Sequence, residues 1–274
     1  MTVTEPKARF RDLLAAEWTK LWSLRSTYGV LVTGALVVLG ICGNSARSNS
    51  DLIDNSGDPA SQAAFLDPFH AAFVPDAFLI LVILAGSVGA IAVFGEYTSG
   101  LIRTTFAAVP ARRAVVAAKV TVVAAVMTVF GALVAGASFG LTQAIYAEHG
   151  IGRSIGAPGA LRAVAASALL APVCALVGMA LGALVRNAAG SVVGVVGVLA
   201  LLPNLFRGET YRWVKEIGNA MPQSAWEALV RNPAKPPFVP DKYPVTLTEG
   251  WIVLVAWPLA AALLAMWVVH RRDV

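Results

Sequence analysis

The sequence predicts an all-α protein that crosses a membrane six times, and three observations carry that prediction. Hydrophobic residues fill 57% of the 274 positions and charged residues only 14%, with a mean hydropathy of +0.70; soluble domains carry about 25% charged residues. Six uncharged runs are each long enough to cross a hydrocarbon core as a helix. Lys and Arg collect on one side of those runs, so the net charge of +5 reflects topology rather than nucleic-acid binding. The chain therefore reads as one polytopic domain over residues 1–274, not as one or two soluble domains.

The N-terminal residues 1–10 are polar and lack an apolar h-region, so no cleavable signal peptide is expected. Residues 8–26 then place Phe10, Leu13, Leu14, Trp18, Leu21 and Leu24 on one helical face, with Arg9, Asp12, Thr19, Lys20 and Ser23 on the other. Such an amphipathic helix lies in the headgroup plane. Glu17 breaks the pattern, because it projects from the middle of the apolar face. An acid there needs a base or a backbone donor from another segment, and the sequence does not say which.

The first span covers about 26–46, and a polar loop with five aspartates and one base follows over 47–76. The second span covers 77–95. The third, 120–147, is uncharged over 28 residues, about 42 Å of helix against a core of roughly 30 Å, so it tilts or protrudes. Gly131, Gly136 and Gly140 in this run offer close helix contacts, with Gly136 and Gly140 forming a small-xxx-small pair. After a Gly- and Pro-containing link, span four runs over 161–185, with Gly178 and Gly182 again four apart. Arg186-Asn187 is a minimal turn before span five at 188–206. The long insertion 207–249 predicts short helices near 210–219 and 223–230, then a segment with Pro233, Pro236, Pro237, Pro240 and Pro244. The last span, 250–269, ends at His270-Arg271-Arg272.

Six spans put both termini on one side. That side holds Lys7, Arg9, Arg11, Lys20, Arg25, Arg103, Arg112, Arg113, Lys119, Arg186, Arg271 and Arg272, which is 12 bases against five acids (Glu5, Asp12, Glu17, Glu96, Asp273). The bias predicts a cytoplasmic location for both termini and for the segment between spans two and three, and an extracellular one for 207–249. Cys42 and Cys174 both sit inside apolar runs and read as buried, inert thiols.

The spans, with these boundaries, hold no ionisable residue in their interiors. Ion-driven carriers place such groups at membrane depth, and intramembrane hydrolases need a carboxylate pair, a His cluster or an activated nucleophile. The three histidines, at 70, 149 and 270, lack metal-ligand spacing. No Gly-x-x-x-x-Gly-Lys-Ser/Thr segment is present to cradle phosphates. Catalytic, metal and cofactor sites are therefore not expected, and any uphill transport must be driven from outside the chain.

The polar patch Glu96-Tyr97-Thr98-Ser99-Gly100-Leu101-Ile102-Arg103-Thr104-Thr105, between two apolar runs, is the place where a soluble partner would push on the membrane domain. With Glu17-Trp18-Thr19-Lys20-Leu21 before span one and 177–187 closing span four, it resembles the permease subunits of type 2 ABC exporters of the actinobacterial kind. The resemblance implies a permease of the cell inner or plasma membrane that pairs with a second permease, as a homo- or heterodimer, and with two ATPase subunits. ATP and Mg would be bound by those partners and by no site in this chain. It further implies that residues 8–26 form an elbow helix and that Glu96 to Thr105 form a cytoplasmic coupling helix. The exported substrate would be hydrophobic or amphiphilic. The 207–249 insertion departs from the family pattern, and it leaves open an alternative: a non-transporting membrane sensor or assembly partner whose extracellular loop binds a ligand.

Overall fold

The computed structural model describes residues 9–23, 25–109, 111–235 and 240–271. Glu5, Lys7, Leu24, Pro236, Pro237, Arg272 and Asp273, used in the sequence reading, lie outside them. The chain is an all-helical polytopic membrane protein: no strand occurs among the described residues, and six helical segments are long and apolar enough to cross a membrane.

In chain order the helices are α1 (Phe10–Ser23), α2 (Arg25–Asp54), α3 (Pro59–Phe65), α4 (Pro68–Ala72), α5 (Pro75–Thr98), α6 (Leu101–Ala108), α7 (Arg112–Ala147) and α8 (Ala160–Val185). Next come α9 (Ala188–Val195), a π-helical stretch at Val196–Leu201, α10 (Leu202–Leu205), α11 (Arg212–Asn219), α12 (Pro222–Val230) and α13 (Leu247–Arg271). The helices outrun the apolar runs. The first span continues to Asp54 rather than 46, the second to Thr98, and the third begins at Arg112 rather than 120. Residues such as Arg47, Glu96 and Lys119 consequently belong to continuous helices, and the charge-free description holds only for the narrower runs.

α8 is the axis of the bundle, packed chiefly by α5 and α7. Small residues permit the approach. A Cβ on Gly178 would stand 1.8 Å from the Gly86 carbonyl oxygen, and one on Gly89 would stand 1.8 Å from that of Ala175. Across the α7–α8 contact the same role falls to Gly131, against Ala168. Gly136 and Gly140 face away from the rest of the chain, with nothing within 4 Å of an added Cβ. Their expected helix contact is not made among the described residues, because the buried face of α7 carries Gly131, Val134, Ala135 and Ser138 instead, with Gly131 against α8.

At the end of the bundle remote from α1, polar groups tie the loops to the spans. Ser138 Oγ donates to Ala72 O at 2.6 Å and Gln143 Nε2 to Pro68 O at 3.0 Å, seating α4 on α7. The 207–249 insertion is folded back rather than free: Trp226 stacks on Phe78 with centroids 4.9 Å apart, and its Nε1 donates to Ser167 Oγ at 2.8 Å. Asn232 Nδ2 reaches Asp67 Oδ1, the cap of α4, at 2.8 Å. Cys42 and Cys174 are unpaired and buried.

The glycine geometry yields opposite outcomes for one substitution. Gly178→Ala should lose about 1–3 kcal/mol through overpacking against a backbone carbonyl. Gly136→Ala should gain up to about 1 kcal/mol through helix propensity. Thermal melting of both purified variants, with equal shifts as the contrary result, checks the assignment.

Candidate functional site

Four charged side chains from three helices meet where α1, α5 and α7 converge. Lys20 Nζ donates to Glu17 Oε1 at 2.7 Å and to Glu96 Oε1 at 2.8 Å. Lys119 Nζ donates to Glu96 Oε1 at 3.0 Å and also to Glu17 Oε2. The side chains are 4% (Glu17), 9% (Lys119), 13% (Glu96) and 31% (Lys20) exposed. Two acids and two bases make the cluster neutral, which is what permits its burial: a lone charge in an apolar site is strongly disfavoured.

Local helix geometry aims each member. On α1, Leu13, Glu17 and Leu21 are the buried residues, so Glu17 sits on the packed stripe and points at α7. Leu13 packs with Val115 and Ala118 of α7, and Leu21 with Val122 and Val126, bracketing the ion pairs with apolar contacts above and below. Phe10 and Trp18, assigned to the same apolar face by periodicity, are about half exposed, and Leu14 is half-buried. Lys20 is one turn on from Glu17. Burial alone would lower its ammonium, but the bonds and charges of Glu17 and Glu96 outweigh that and hold its pKa above the ordinary lysine value. A raised lysine contributes stability that is lost only as pH rises through the folded value, so this cation persists throughout the physiological range.

The polar patch divides between inward and outward residues. Glu96 belongs to the last turns of α5 and faces the cluster; it does not project from the short helix. Tyr97 lies under the Arg186 guanidinium, 4.6 Å from its ring centroid. Arg186 itself ends α8 in the left-handed conformation, with φ 59°. Thr98 Oγ1 and Ser99 Oγ both donate to Gly95 O, and Thr104 Oγ1 donates to Leu101 O, so these hydroxyls serve their own helices. Gly100, at φ 73°, makes the turn into α6, a conformation that favours glycine. On α6, Ile102 is buried and Thr105 half-buried, while Leu101, Arg103 and Thr104 are exposed. Phe106 packs against α1 and α7, with the Arg112 guanidinium 5.2 Å over its ring.

Sequence reading brought Glu17 and Glu96 forward separately and did not join them, and it treated Lys20 and Lys119 as orientation-setting bases. The available signal was complementary: one acid on an apolar helix face, and one lysine immediately before the longest uncharged run. Beside the cluster runs a cleft of about 360 Å³ between α1, α2, α5 and α7, walled mainly by apolar side chains.

No protein-family model matches the chain, and no curated protein matches its sequence.

Removing one partner of a buried pair strands the other. Lys119→Met should therefore lower stability by about 3–5 kcal/mol. The double change Glu17→Gln with Lys119→Met should lose less than the sum of the singles, because the residues are in direct contact. Thermal unfolding in detergent measures both, and strictly additive losses would deny the coupling.

Proposed function

We propose that this chain is the membrane-spanning permease subunit of an ATP-driven exporter, similar to the type 2 ABC permeases. It would convert ATP hydrolysis by separate ATPase subunits into outward movement of a hydrophobic or amphiphilic substrate. The observation that carries the reading is the joint between the second and third spans. A short helix, α6, stands between two long helices with Leu101, Arg103 and Thr104 exposed, and those same helices are tied to α1 by the Glu96–Lys20 and Lys119–Glu17 pairs. A push on α6 would therefore reach the ends of three helices together. The resemblance of residues 96–105 to the family's coupling segment supports the same assignment.

On this reading the charge-cluster end faces the cytoplasm of the cell membrane, in line with the excess of bases in its short segments. The surface offered to an ATPase is Leu101, Arg103 and Thr104, with Ile102 and Thr105 seating the helix. Glu96 acts inside the protein as the attachment of the lever, and α1 serves as the elbow helix. A second permease, the same or different, completes the pore. ATP and Mg remain with the ATPase partners.

A second reading, a sensor with an extracellular ligand site, is favoured by one feature of the insertion. A cavity of about 280 Å³ is lined there by Arg207, Lys215 and Arg231 together with Glu209, Glu227 and Asp241. These groups are largely spent on one another, since Lys215 pairs with Glu209 at 2.9 Å and Arg207 with Glu227 at 3.0 Å. The export reading stands first.

Arg103 separates coupling from folding, because it is exposed and holds no ion pair among the described residues. The export reading expects an ATPase reading frame beside that of this chain, and Arg103→Glu should reduce co-purification of that ATPase, and export by the pair, at least tenfold, with melting temperature unchanged. Normal export by that variant would remove the coupling role.

A further inference from the structure

The cleft beside the charge cluster has two chemically different ends. One is apolar, walled by Leu21, Val30, Val88, Ile91, Val122 and Val123. The other is the cluster itself, and its hydrogen-bond valences are not all used. Glu17 accepts on both oxygens, whereas both lysines bond to the same oxygen of Glu96, Oε1. Glu96 Oε2 holds no bond among the described residues and is not occluded. Lys20 uses two of its three N–H donors and is the most exposed member. Among the described residues, one unused anionic acceptor and one unused cationic donor thus belong to neighbouring side chains that line a mainly apolar cleft.

We infer that this cleft holds a membrane phospholipid with a phosphoethanolamine headgroup. One acyl chain lies on the apolar wall, the primary ammonium sits on Glu96 Oε2 and the phosphate on Lys20. Charge complementarity selects the head. The cluster is neutral, so a singly charged head would leave a net charge at its edge, whereas a zwitterion pairs each unused valence and adds none. Position selects a lipid. α1 carries exposed Phe10 and Trp18 along its length, as a helix at headgroup depth does, and the cleft runs from α1 inward beside the spans. Its volume, about 360 Å³, lies within the range of small-molecule sites and at the end suited to one chain. The inference concerns the isolated chain and does not depend on the export reading.

Native mass spectrometry of the full-length chain in detergent tests it, with lysophosphatidylethanolamine and lysophosphatidylglycerol of the same acyl length as probes. The expected result is one bound lysophosphatidylethanolamine, at least tenfold tighter than the glycerol lipid. Ile91→Trp, which fills the channel, should abolish binding of both. Glu96→Gln, which removes the ammonium's anionic partner, should bring the preference close to unity, whereas Lys20→Met should weaken both lipids through the lost phosphate contact. Each variant's melting temperature establishes that it is folded, and if Ile91→Trp is not, Ala92→Leu narrows the same wall and should weaken both lipids alike. Equal affinity for the two lipids, or a preference that survives the channel-filling change, would overturn the site. Solvent extraction of the purified chain should release phosphatidylethanolamine in near-stoichiometric amount. A chain that releases none, yet binds the added single-chain lipid, would overturn the resident-lipid assignment and give the cleft to transported cargo. Neither result bears on whether Arg103 couples to an ATPase.

Discussion

The burial of Glu17 is the constraint on which the arrangement of this end of the protein depends. A carboxylate on the packed stripe of an amphipathic helix is tolerable only if a cation reaches it, and the cations that do so come from two places. Lys20 is on the same helix; Lys119 is 102 residues away and opens the longest uncharged stretch of the chain. Glu96 then balances the second base. The positions of α1, of the end of α5 and of the start of α7 are thereby mutually determined. Apolar packing sets their separation, and the charges set their register, since a turn's slip of α1 would break the Glu17–Lys119 and Lys20–Glu96 bonds that join α1 to α7 and α5.

The remainder of the bundle is held differently. In lipid there is no hydrophobic force between helices, and association rests on close packing and on polar groups. α8 meets α5 and α7 through glycine at the points where backbones nearly touch, as Gly178 on Gly86 and Gly131 on Ala168 show. Such contacts are short-ranged and leave no slack. They hold α5, α7 and α8 tightly together along their middles, with α1 attached at one end through ion pairs, α6 through the packing of Ile102 and Phe106, and the insertion at the other end through side-chain hydrogen bonds.

This division also explains what the sequence disclosed. Six helices followed from run length and charge alone, and the two helices of the insertion fell close to where amphipathic spacing put them. Helix ends were less legible, because Arg47, Glu96 and Lys119 interrupt the hydropathy without interrupting the helix. The sequence offered three glycines on α7 for close contact, and only the neighbour's position decides which of Gly131, Gly136 and Gly140 is used; Gly131 meets Ala168. The cluster was half visible. Glu17 announced a missing partner, but pairing it with a lysine beyond two spans requires knowing which helix ends converge, and that is a property of the fold rather than of any local pattern.

The chemistry of the cluster bears on how a force at α6 would travel. Separating an ion pair in a poorly solvated site exposes two charges to a medium that solvates neither, so the low-energy response to displacement is to keep the pairs and move the helices together. On the proposed reading a push at Leu101–Thr105 therefore tilts the ends of α1, α5 and α7 as one unit against the glycine-packed core. α2 is not tied into the cluster by any of these bonds. The α1–α2 side of the 360 Å³ cleft is consequently where relative movement would be taken up. A lipid seated in the cleft would have its head on the moving unit, through Lys20 and Glu96, and its acyl chain against Val30 of α2, so that it would span the side where the movement is taken up.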